Sequence, residues 1–170
     1  MTGLGVGLAL VLTTRAMAAA AMAAAAMAAA AMAAVASGTY SGSTIQTGQP
    51  NGTVHFRVTA DHQTVQAFSG DVWATCSKAG ASQSVHITLE PTRDMAIRHL
   101  AFGFSGNFNI DNGDVVIAKH VHGRITGRFA SGRQVAGTMK FSWTFDHDAP
   151  ASVQGLSCTT QTVHYTAQRT

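Results

Sequence analysis

The chain has 170 residues and a formal net charge of +3, and only 11% of its residues are charged. That size suits one domain behind a leader, and so mild a basic bias, with no Lys/Arg run, excludes the charge density of a nucleic-acid binder. The hydrophobic content of 46% is inflated by an alanine tract near the N-terminus.

Residues 1–36 carry one charge, Arg15, between a Gly/Leu/Val run and the alanines. Met17, Met22, Met27 and Met32 recur every five residues. On a helix successive methionines would fall about 140° apart and make no stripe, so the segment is a low-complexity expansion and not a coiled coil. Ala34-Val35-Ala36 before Ser37 is a small-x-small pattern of the kind a signal peptidase cuts. The expectation is a secretory signal cleaved after Ala36, leaving residues 37–170 as a domain outside the cytoplasm. The competing reading is an uncleaved anchor over residues 16–36, the only route to a membrane, which alanine's marginal apolarity disfavours.

Beyond the leader the pattern is β throughout. Residues 38–45 form a first strand around Tyr40, and Gln49-Pro50-Asn51-Gly52 has turn composition. Val54, Phe56 and Val58 alternate with His55, Arg57 and Thr59 in a half-buried strand. A third strand, 64–68, stops at Ser69-Gly70-Asp71, and a fourth, 72–77, carries Trp73 and Cys76. Val85, Ile87 and Leu89 mark the next. Residues 95–100 fit either a helical turn or a strand entry. Residues 101–110 bring Phe102, Phe104 and Phe108, and Asp111-Asn112-Gly113-Asp114 predicts an Asn-Gly type I′ hairpin turn.

Residues 121–145 are the organising stretch. Val121, Gly123, Ile125, Gly127 and Phe129 share one parity, as do Val135, Gly137, Met139, Phe141, Trp143 and Phe145. This period of two predicts a long hairpin with one buried face, folding back through a three-residue turn at Ser131-Gly132-Arg133. An irregular loop, 146–155, and a closing strand, 162–167, complete the chain. The fold class is therefore all-β, an antiparallel sandwich or barrel-like sandwich of about nine or ten strands. Cys76 and Cys158 are the two cysteines, and in an oxidising compartment they pair. In the chain-entropy model a loop of that size contributes about 4–5 kcal/mol.

Several short motifs recur together: Gly38-x-Tyr40-x-Gly42-x-Thr44 at the start, and Gly127-Arg128-Phe129-x-Ser131-Gly132 with Ala136-Gly137-Thr138 in the hairpin. A cysteine before a closing Val163-x-Tyr165-Thr166-Ala167 completes the set. In these the chain resembles a loose group of small exported all-β bacterial proteins of unassigned function. The motifs are glycine and turn motifs, so the resemblance implies an exported β-sandwich and no activity.

Candidate chemistry centres on the outward face of the long hairpin. His120, His122, Arg124, Thr126 and Arg128 share a parity, and a three-residue turn would set Thr126 against Thr138, Arg124 against Lys140, His122 against Ser142 and His120 against Thr144. Like charges directly opposite repel, and no Asp or Glu lies between 115 and 145 to relieve them. The stripe therefore suits an anionic surface polymer, held more tightly once the histidines are protonated. Trp73, if its face is the exposed one, adds a platform for sugar rings.

A metal-dependent or hydrolytic enzyme is the alternative. His120-x-His122, joined by His147 of Asp146-His147-Asp148, offers imidazoles for zinc or copper, which need three or four converging ligands. No G-x-S-x-G elbow is present, and the single glutamate, Glu90, restricts paired-carboxylate chemistry to aspartates. The favoured expectation is a non-catalytic binding or cell-envelope protein that needs no cofactor.

Overall fold

A computed structural model describes residues 35–112 and 115–170; the side chains at 111, 112, 115, 116, 119 and 120 lie outside that description. The predicted leader lies outside it too, save Val35 and Ala36. Val35–Thr170 forms one compact unit. Its described residues form ten strands and no helix: β1 Gly38–Ile45, β2 Gly52–Val58, β3 Thr64–Lys78, β4 Ala81–Leu89, β5 Met95–Ala96, β6 Ala101–Asn112, β7 Val115–Ser131, β8 Gln134–Phe145, β9 Ser157–Thr160 and β10 Val163–Arg169. Hydrogen-bonded neighbours run β1, β2, β3, β9, β8, β10 and back to β1, all antiparallel, so six strands close a barrel. β4 and β5 pair with β3, while β7 and then β6 continue from β8.

The alternation in the sequence decides which face is inside. In β2, Val54, Phe56 and Val58 are buried and His55 and Arg57 exposed. In the central hairpin the predicted inward parity is buried from Val121 to Phe129 and, apart from half-buried Gly137, from Val135 to Phe145. Aromatic rings fill the centre. Tyr40 stacks on Phe56 at 5.0 Å and Phe56 on Phe68 at 5.8 Å, while Tyr165 meets Phe68 edge-on at 5.7 Å. Gly127 and Gly137 face each other across β7 and β8, leaving room for these rings. A Cβ on Gly127 would lie 2.3 Å from the Phe102 ring, and one on Gly137 would lie 2.0 Å from the Thr126 carbonyl oxygen.

Four local expectations are corrected. The break at Ser69-Gly70-Asp71 does not occur, because β3 runs through it for 15 residues. Gly70 is packed under the Met139 thioether and Asp71 is hydrogen-bonded on both sides, so packing explains these turn-like residues. The real irregularity is at Ala67, with φ of 48°, where Ala67 and Phe68 together oppose Phe56. That bulge moves the buried parity from Val65 to Phe68, Val72 and Cys76.

The turn between β7 and β8 has two residues, Gly132 and Arg133, closed by Ser131 opposite Gln134. A bulge at Ala130 absorbs one residue, which restores the expected pairings Thr126–Thr138, Arg124–Lys140 and His122–Ser142. A second shift between Lys119 and His122 places Lys119, not His120, opposite Thr144. Residues 95–100 resolve into β5 and a tight turn at His99-Leu100. β6 and β7 do form the predicted hairpin, but Asn112 pairs with Val115 as the last residue of β6; residues 113 and 114 lie outside the described residues.

Three polar side chains are buried among the described residues: Thr44, Gln46 and Thr160. Each sits where a long strand passes from one partner to the next. β3 leaves β2 after Gly70 and meets β9 at Ala74. In the gap the Thr44 hydroxyl donates to the Asp71 carbonyl at 2.8 Å, and Gln46 both donates to the Trp73 carbonyl and accepts from its N–H. β8 likewise leaves β10 at Met139 and meets β9 at Ser142, and Thr160 Oγ1 accepts the Phe141 N–H at 2.9 Å. Side chains thus satisfy backbone groups that no strand reaches. Cys76 and Cys158 are directly opposite on β3 and β9 and form the disulfide.

Candidate functional site

Strand register, read across the barrel wall, determines which outward side chains are neighbours. One continuous row runs Asn107, His122, Ser142, Thr159, Thr75, Ser84 across β6, β7, β8, β9, β3 and β4. Two residues along, on the same side of that row, stand Ser105, Arg124 and Lys140 on β6, β7 and β8 and Trp73 and His86 on β3 and β4, β9 having ended at Thr160, with Ser105–Arg124, Arg124–Lys140 and Trp73–His86 paired directly. Alternation makes both rows face outward: Val72, Ala74 and Cys76 are buried while Trp73 is half-exposed. The predicted cation pair and the predicted tryptophan therefore belong to one surface. With strands about 4.8 Å apart and β9 between them, β8 and β3 run roughly 10 Å apart where Ser142 and Thr75 flank Thr159, one step along from Lys140 and Trp73.

At one end of this surface His122, Arg124 and Lys140 are all exposed. They line, with Phe141, Ser142 and Thr159, an open depression of about 320 Å³, at the small end of ligand sites. His122 Nδ1 lies 3.1 Å from Asn107 Oδ1, so the ring is held against β6. Arg124 and Lys140 are directly opposed, with Cβ atoms about 5 Å apart. Among the described residues no carboxylate forms an ion pair with Arg124, Arg128 or Lys140. An anion in the depression would relieve the repulsion that this arrangement builds in.

At the other end the Trp73 indole lies against the His86 ring at 4.8 Å, tilted by 37°. Gln46 holds the Trp73 backbone from the far edge, so the indole is carried by a fixed strand. Beside it Asp71 ties three strands together. Its carboxylate accepts from Thr53 N–H and Oγ1 at 3.0 and 2.7 Å and from Thr88 Oγ1 at 2.5 Å. Burial pushes the Asp71 carboxyl up, but the hydrogen bonds from Thr88 and Thr53 outweigh it and hold the group below the ordinary carboxylate range.

The other candidates stand apart. Arg128 is on the same face of β7 but four residues from Arg124, between Ala101 and Ala136, so about 13 Å of strand separates the two cations. The side chain of His120 lies outside the described residues. His147 is in the loop after β8, with Nε2 3.1 Å from Asp148 Oδ1. No group of three or more His, Cys, Asp or Glu side chains converges among the described residues. Asn107, Thr159 and His86 were not singled out from the sequence, because their place in the site follows from pairings between strands far apart in the chain. Trp143 is buried at 4% exposure, as its parity requires.

Compared with known proteins, the chain matches no family model, no curated protein and no solved structure.

Proposed function

We propose that the domain is a non-catalytic binding module working outside the cytoplasm or at the cell envelope, and that its ligand is an acidic polysaccharide lying across the strands. The observation that carries this reading is the outward row in which Arg124 and Lys140 are followed, about two strands on, by Trp73 and His86. Cations alone would suit any polyanion. An aromatic platform at that spacing adds affinity for the apolar face of a sugar ring, which a polyphosphate lacks. Open and polar, the surface suits a long chain gripped at several points better than a small enclosed substrate. The disulfide and the leader composition support an oxidising, extracytoplasmic setting.

The test compares polygalacturonate, inorganic polyphosphate and neutral dextran as probes. Arg124→Ala with Lys140→Ala weakens both polyanions about tenfold or more and flattens the salt dependence. Trp73→Ala weakens polygalacturonate by a similar factor and leaves polyphosphate unchanged. Polygalacturonate binding untouched by both sets of substitutions would remove the reading.

A further inference from the structure

We infer that the exported chain is cut between Ala33 and Ala34, ahead of Val35, and not after Ala36 as the small-x-small pattern nearest the domain suggests. The inference rests on the reading that residues 1–36 contain a secretory signal; its new content is where the mature protein begins.

Val35 is 4% exposed and belongs to the hydrophobic core. The Ala36 N–H donates to the Gly132 carbonyl at 2.8 Å, which ties the segment ahead of β1 to the tip of the β7–β8 hairpin. The buried Tyr40 hydroxyl is shared between the carbonyl oxygens of Ala36, at 2.8 Å, and Gly132, at 2.9 Å. The compact unit accordingly starts at Val35 and not at Ser37. A cut after Ala36 would remove a core side chain, a backbone hydrogen bond and one of the two acceptors of a buried phenol. It would also put a new ammonium group on Ser37, next to Gly38, where the Arg169 guanidinium already packs 3.1 Å from the position of a Cβ.

The peptidase reads small residues at the first and third positions before the cut, on a chain that has not yet folded. The fold therefore does not block any bond; it determines which product keeps its core. A cut after Ala34 would place Met32 at the third position and a charged amine on the buried Val35. Ala31-Met32-Ala33 is the nearest upstream frame with alanine at both positions. Hydrolysis breaks the Ala33–Ala34 amide, water giving its hydroxyl to the Ala33 carbonyl and its proton to the Ala34 nitrogen. The new charge then falls on Ala34, one residue ahead of the buried Val35 in the chain.

The full chain, expressed in a bacterial host and recovered from outside the cytoplasm, is tested by N-terminal sequencing and intact mass. A first residue of Ala34 is expected. A start at Ser37, or at any residue upstream of Ala34, overturns the assignment. A chain found whole in the cytoplasmic fraction overturns the export reading instead, and this inference with it. A second measurement stands apart from export: domains beginning at Ala34 and at Ser37 are purified and melted. The shorter one is expected to melt lower by roughly 5 °C. Equal melting temperatures would show that Val35 and Ala36 contribute nothing, which overturns the physical basis.

Discussion

His99 and Leu100 occupy the left-handed region with φ of 51° and 62°, as the two central residues of a turn closed by reciprocal bonds between Arg98 and Ala101 at 2.7 and 2.9 Å. A side chain there costs about 1 kcal/mol that glycine avoids. His99 is exposed and Leu100 packs on the core. His99→Gly is therefore expected to stabilise the domain by up to about 1 kcal/mol, seen as a higher urea midpoint, and Leu100→Gly to lose that gain through lost packing. Asp71 makes a prediction of its own. Its folded pKa lies below the ordinary 3.8, so its contribution is present above that value and is lost as the pH falls through the folded pKa. Asp71→Asn should be less stable than the natural chain at neutral pH, with the difference closing in acid denaturation below pH 3.8. A difference that stayed constant with pH would show that the hydrogen bonds do not depend on the charge.

Among the elements, the β7–β8 hairpin shows what an alternating pattern conveys and what it does not. Period two identifies the buried face of β2, β7 and β8, because side chains switch sides at each residue. It does not reveal which strands are neighbours, so the row joining Lys140 to Trp73 was invisible although each residue was noticed. Bulges hide as well: Ala67 looks like any strand residue, and Ala130 takes up the residue that the shorter turn leaves over, so three of the four expected pairings occur for a different reason and the fourth, His120 with Thr144, does not. β9 was missed because Ser-Cys-Thr-Thr is short and offers only Cys158 and Thr160 to the inside. Two substitutions probe the hairpin. Gly137→Ala drives a methyl into the Thr126 carbonyl region and should cost about 3 kcal/mol, read by chemical denaturation. Lys140→Glu sets opposite charges against each other, so it should add up to about 0.5 kcal/mol of stability. The same change should abolish polygalacturonate binding, and a variant that is both more stable and still binding would place the ligand elsewhere.

For the molecule as a whole, the all-β class and the single disulfide were legible, while barrel closure was not, since closure depends on β10 reaching both β1 and β8. The bridge joins β3 to β9 across 82 residues of chain. Replacing both cysteines by alanine should cost about 4–5 kcal/mol in the chain-entropy model, measured against the oxidised protein in guanidinium. A variant with the stability of the oxidised protein would show that the bridge does not restrict the unfolded ensemble as that model requires.

The pairing of β1 with β10 also orders events in time. Gly38–Ile45 are synthesised early and must wait, with one edge unsatisfied, until Val163–Arg169 emerge more than a hundred residues later. Such a chain cannot close its barrel until the last residues are made, so its seam is the last piece of the wall to be set.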